Sequence, residues 1–190
     1  GEQESLFKTG ASFQTDYVTE RFDTFHRKRT EIVPGIFAET NMNFGTDKKV
    51  MLVGGVRFDY HNLYGPFVSP RVNLKWNIIY DLAFRVSGGR GYRVPTLFAE
   101  NFGLLSNNRA ISIDPEIKFE EAWNYGAGLH YKLYPNFREL SFSLDYFRTD
   151  FVQQLVLDAE NARELNLYML NGKSFANALQ FEVSYEPIKL

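Results

Sequence analysis

The feature that most tightly confines this chain is a period of two in its hydrophobicity. Over 50–60 one parity reads Val50, Leu52, Gly54, Val56, Phe58, Tyr60, and the other carries Val53, Gly55, Arg57 and Asp59. The same alternation recurs at 68–77, 82–88, 123–133, 140–146 and 177–186, and more weakly at 6–17 and 32–44. Successive side chains of a strand point to opposite faces, so each segment reads as a β-strand with one apolar face. The charges within these segments are Lys8, Asp16, Glu39, Arg57, Asp59, Arg71, Lys75, Arg85, Lys132, Asp145, Glu182 and Glu186. All lie on the polar parity and none on the apolar one.

What the apolar face meets is the next question. Aromatic residues make up 16% of the chain and charged residues 23%, with a mean hydropathy of -0.31. The longest run free of Asp, Glu, Lys and Arg is 60–70, broken by His61, Gly65 and Pro66, whereas a membrane helix needs ~20 apolar residues. The polar start Gly1-Glu2-Gln3-Glu4 carries no signal-peptide pattern. Short turns at 45–49, 77–81 and 134–139 alternate with longer connections at 18–31, 61–67, 89–122 and 147–176. Trp76 and Tyr80 flank one short turn, and Tyr131 and Tyr134 another, as an interfacial aromatic girdle would. The expectation is an all-β chain: an antiparallel up-and-down meander of about eight strands, part of a transmembrane β-barrel. A soluble β-sandwich shares the alternation but does not require turns that alternate short and long.

Three further exclusions narrow the function. No cysteine is present, which removes disulfide scaffolds, thiolate zinc sites and cysteine nucleophiles. The formal charge of -2 gives no reason to expect a nucleic-acid partner. The three histidines, His26, His61 and His130, are too scattered for a metal site legible in sequence, and no Ser-His-Asp order stands out. No enzyme activity and no cofactor are expected. The basic run His26-Arg27-Lys28-Arg29 reads as a solvated loop before it reads as a contact for lipopolysaccharide phosphates.

Residues 82–95 read Leu-Ala-Phe-Arg-Val-Ser-Gly-Gly-Arg-Gly-Tyr-Arg-Val-Pro, with Glu100-Asn101 following. Asp114-Pro115-Glu116-Ile117-Lys118-Phe119-Glu120 then precedes Asn124-Tyr125-Gly126. Gly88, Gly89 and Gly91 would allow close approach or a bulge, and Pro95 would end strand pairing. Arg93 is placed to pair with Glu100 or Glu120, and reads as a loop anchor before a ligand contact. In order and spacing these motifs resemble TonB-dependent outer-membrane receptors, whose pattern runs from a Gly-rich strand through Phe-Arg-Ala-Pro to Asn-Pro-x-Leu-x-Pro-Glu. Val68-Ser69-Pro70-Arg71-Val72-Asn73-Leu74 and Phe37-Ala38-Glu39 look like earlier strands of that family. The sharp motifs occupy 69–128.

The resemblance implies a barrel of roughly 22 strands around an N-terminal plug domain, in the outer membrane of a Gram-negative bacterium. It implies active import, coupled through TonB, of a scarce large ligand: a ferric siderophore, cobalamin, haem or an oligosaccharide. The family's haem-uptake members carry a histidine that 96–113 lacks, so haem is disfavoured. Partners would be TonB, the receptor's own plug and outer-membrane lipid. Ligand-facing candidates are Tyr92, Arg93, Glu100, Asn101 and Arg109; Arg57, Asp59, Arg71, Lys75 and Arg85 are expected to face the lumen. The chain is much shorter than such receptors, with no plug and no terminal aromatic after Lys189-Leu190. It is therefore expected to be a fragment of the barrel domain, 1–190. The alternative is a complete small eight-stranded barrel serving as a pore, adhesin or scaffold.

Overall fold

The computed structural model describes residues 5–22, 25–45, 49–105 and 109–186. Eight antiparallel strands form one sheet: β1 (Ser5–Phe22), β2 (Phe25–Phe44), β3 (Val50–His61), β4 (Gly65–Ile79), β5 (Leu82–Arg93), β7 (Glu120–Leu133), β8 (Leu140–Gln153) and β11 (Ser174–Tyr185). Their order in the sheet is their order in the chain, so the topology is the expected meander. Among the described residues the end strands β1 and β11 do not pair with each other, so these eight strands do not close into a small barrel. No helix among the described residues is long and apolar enough to cross a membrane.

The register turns the sequence parity into two continuous faces. Phe44, Val50, Trp76, Phe84, Leu129, Leu144 and Phe181 form one row across seven strands, and Met42, Leu52, Leu74, Val86, Ala127, Tyr146 and Leu179 form the next but one. No second layer covers this face: Leu179 is 73% exposed and Phe181 65%. On the opposite face, Asn43, Met51, Lys75, Arg85, Gly128, Asp145 and Gln180 share a row, and Glu39, Gly55, Arg71, Gly89, Asn124 and Thr149 share another. A sandwich would bury its apolar faces between two sheets; this sheet turns its apolar face outward.

The strands outrun the sequence expectation. Residues 18–31 are not a connection: β1 and β2 stay paired from Ser5↔Met42 to Phe22↔Phe25. The supposed long connection at 61–67 is a tight turn at 62–64, closed by the Tyr64 amide donating to the His61 carbonyl at 3.3 Å. The glycines of β5 make no bulge against β7, where pairing is unbroken from Leu82↔Tyr131 to Arg93↔Glu120. They mark instead the place where β5 parts from β4, whose pairing ends at Arg71↔Gly89. A Cβ on Gly89 would stand 3.1 Å from the Pro70 carbonyl, so any side chain there would press on the backbone of β4.

The two long connections fold onto each other. α1 (Leu97–Leu105) and β6 (Ala110–Ile113) follow β5, while β9 (Leu155–Asp158) and β10 (Glu164–Met169) follow β8. β10 pairs parallel with β6 and antiparallel with β9, making a separate three-stranded sheet. Leu97 and Leu165 are fully buried in this cap and Leu167 nearly so, packed with Ile111, Ile113, Ile117, Leu157 and Phe98. Each such leucine contributes ~1.5–3 kcal/mol of burial. The cap thus has a soluble-type core, and both clusters of buried apolar residues among the described residues centre on it.

Candidate ligand-facing mouth

The cap is fastened to the wall by carboxylates that bond in both directions. Glu20, near the tip of β1, accepts from Arg29 Nη1 on β2 at 2.9 Å and from the Phe98 amide of α1 at 3.2 Å. Glu120, at the start of β7, accepts from Arg93 Nε at 2.6 Å and from the Leu155 amide of β9 at 3.0 Å. Arg29 also bonds Glu31 at 2.5 Å and donates to the Pro95 carbonyl at 3.2 Å. Rings reinforce the junction, with Phe98 against Phe22 and Phe25 at centroid distances of 5.5 and 5.0 Å.

Burial makes these ion pairs consequential. The Arg29 and Glu20 side chains keep only 5% and 6% of their exposure, so neither charge could lose its partner without a large desolvation cost. His61, buried at the end of β3, accepts the Leu63 amide at Nδ1. Its proton therefore sits on Nε2, which faces Glu31 at 3.6 Å, beyond hydrogen-bond range. The basic run splits accordingly: Arg29 is a buried structural cation rather than part of a solvated loop, and only its neighbours His26 and Lys28 are exposed.

Arg57 on β3 grips Asp59 at 2.7 Å and donates to Ser12 Oγ at 2.8 Å. Gly35 lies directly across from Asp59, and a Cβ there would collide with its carboxylate. Tyr92 lies flat on Phe67, centroids 3.8 Å apart and planes within 8°, and its hydroxyl lies beside Asp59. Between these groups opens a cavity of about 490 Å³ lined by Gln14, Asp16, Tyr17, Arg29, Arg57, His61, Tyr92 and Arg93.

The other expected site residues fall elsewhere. Arg93 bonds Glu100 at 3.0 Å as well as Glu120, so both carboxylates suggested by the spacing are engaged. Glu100 accepts from the Thr96 amide at 2.8 Å and hydroxyl at 2.9 Å, closing the first turn of α1. Burial alone would raise its carboxyl pKa, but the Thr96 bonds and the Arg93 charge outweigh it and hold the group below its ordinary value. Asn101 donates to the Leu97 carbonyl, and Arg109 to the Ala159 carbonyl across the cap. Arg71 pairs with Glu39 on the polar face. Lys75 and Arg85 stand directly opposite each other there, lining a second hollow of about 330 Å³ with Asp145 and Phe147. The described residues hold no cluster of three metal-ligating side chains. Glu20, Arg29 and Glu31 were not among the expected site residues.

A single meandering sheet with an uncovered apolar face, a charged opposite face and a cap over one end is the wall of a transmembrane β-barrel. Residues 4–178 match the model of the TonB dependent receptor-like β-barrel family, and the chain belongs to that family. Its fold is similar to the siderophore receptor PirA from Pseudomonas aeruginosa, with a TM-score of 0.71 and 17% identity over 95% of this chain and 36% of that one. It is also similar to a variant of the ferric enterobactin receptor PfeA from the same organism in complex with enterobactin, with a TM-score of 0.69 and 16% identity over 94% and 30% of the two chains. In sequence, 66 residues are 33% identical to the ferrienterobactin receptor of Escherichia coli (strain K12), covering 35% of this chain and 9% of that protein. The chain thus spans about a third of the matched structures' length, and far less of the curated relative.

Proposed function

We propose that this chain is part of the barrel wall and outer mouth of a TonB-dependent receptor that imports a ferric siderophore across a Gram-negative outer membrane. The observation that carries the reading is the family match over 4–178, and relatives named as siderophore and ferrienterobactin receptors favour that cargo over cobalamin. The apolar parity of β3 from Val50 to Tyr60, tilted as barrel strands are, rises ~25 Å, the height of a lipid-facing band.

In this reading the polar face lines a lumen filled by the plug, opposite Lys75, Arg85 and Arg71. Ligand arrives at the capped end, where Tyr92 and Arg93 border the mouth cavity. The guanidinium of Arg93 is already held by two carboxylates, so it positions the cap rather than gripping cargo. Iron is carried as substrate, and TonB supplies the work that shifts the plug. The test is uptake of radioiron complexed to enterobactin by cells lacking the full-length gene, against the same cells carrying it on a plasmid. Restoration of uptake by the plasmid is expected; equal uptake with and without it would defeat the proposal for that siderophore, and equal uptake for a panel of siderophores would defeat it for the class.

A further inference from the structure

On β1 and β2 the outward face is apolar or uncharged from Phe7 and Met42 up to the row of Tyr17 and Thr30. The next two rows of that face are Thr19 with Lys28 and Arg21 with His26. Arg21, His26 and Lys28 are exposed, and none has an ion-pair partner among the described residues. The acids of this hairpin, Asp16, Glu20, Glu31 and Glu39, all fall on the opposite parity. Asp23 lies outside the described residues. Every charge that β1 and β2 present outward among the described residues is therefore positive, and all of it stands immediately beyond the apolar band.

We infer that this face of the β1–β2 hairpin docks the phosphate groups of a phosphorylated lipid headgroup in the outer leaflet. The inference rests on the proposed reading that these strands cross the outer membrane. Rows two residues apart on one face are separated by ~6.6 Å along the strand. Arg21 and Lys28 are thus diagonal neighbours, close enough to share one phosphate or to take two on a single headgroup. The arginine fork suits phosphate oxygens and the lysine adds a point charge. Continuity settles the occupant: acyl chains against Phe13, Ile32 and Ile36 place their own headgroup at the height of Lys28 and Arg21. Arg90 and Arg148, elsewhere on the outward face, are each already paired, with Glu121 and Asp150.

The experiment uses the full-length receptor in detergent, titrated with purified lipid A, a bisphosphorylated glucosamine lipid, and read by native mass spectrometry. R21Q/K28Q is compared with K49Q/R138Q, which removes the same charge at exposed positions by the short turns of the opposite end. A basic residue near an anionic lipid surface contributes enough that losing two is expected to weaken lipid A retention more than tenfold. The control should stay within about twofold of the parent. Heat-modifiable gel mobility confirms that each variant keeps its barrel. Unchanged retention by R21Q/K28Q, or an equal loss in both variants, overturns the docking surface. A parent protein that fractionates away from the outer membrane overturns the membrane reading beneath it.

Discussion

Leu179 in the wall is 73% exposed, while Leu165 in the cap is fully buried, although both are leucines on strands of one chain. The wall buries charged and titratable groups, Asp59, His61, Glu20 and Glu31, beside a few apolar ones such as Val33 and Phe67. The cap buries leucine and isoleucine and leaves its charges at the rim. The difference shows that two solvents act on one sequence. Against lipid, an outward leucine is already in apolar surroundings; in water, the same residue must find neighbours.

The sharpest way to break this comparison is at the junction. Arg29→Met leaves Glu20 and Glu31 buried without their cation and is expected to cost about 3–5 kcal/mol. Limited proteolysis should then cut near Val94 to Thr96 while the barrel keeps its heat-modifiable mobility. Within the cap, Leu165→Ala opens a cavity at a fully buried site and should cost about 2–5 kcal/mol. Amide exchange should accelerate in β6, β9 and β10 but not in β3 or β4.

For the wall, Leu144→Arg puts a charge on the lipid-facing row and should destabilise the barrel by about 2–4 kcal/mol in urea titrations in lipid. Asn73→Arg, on the polar face, should change it by under about 0.5 kcal/mol. Equal effects would erase the distinction between the two faces. A smaller loss is expected from Arg93→Ala, since that side chain is 62% exposed: at most about 1 kcal/mol, seen as faster exchange at the start of α1.

The smallest effect is a titration. The Glu100 carboxyl lies below its ordinary pKa in the folded chain, so its contribution is complete above that ordinary value and is lost as pH falls through the depressed one. Amide protection at the Thr96–Leu97 step, corrected for the intrinsic exchange rate, should therefore weaken as pH falls below the ordinary carboxylate range. Glu100→Gln should flatten that dependence.

The wall was legible because lipid imposes a strict rule on outward residues, and the rule holds along the whole row from Phe44 to Phe181. It lapsed where the hairpin rises beyond the band. There Arg21 and Lys28 face outward and Glu20 and Glu31 inward, so charge lies on both parities and residues 18–31 resemble a loop. The cap was illegible for another reason. Its strands are four to six residues long, and Ala110–Ile113 finds its partner only across the whole of β7, β8 and β9. The Arg93 pairings were readable because the motif spacing brings two acids within reach; Glu20 was not, because its partners come from distant segments. Thr96 ahead of Glu100 in the first turn is a start signal for α1 that the sequence does carry.

The parallel pairing of β6 with β10 also sets a schedule. Its two strands gain nothing from meeting early, because closing so long a loop in a free chain carries an entropic cost that four paired residues cannot offset. Once β7 has paired with both β5 and β8, the ends of β5 and β8 flank its start and the span to be closed is short. The β6–β10 pairing of the mouth is therefore expected to follow the pairing of β5, β7 and β8 beneath it.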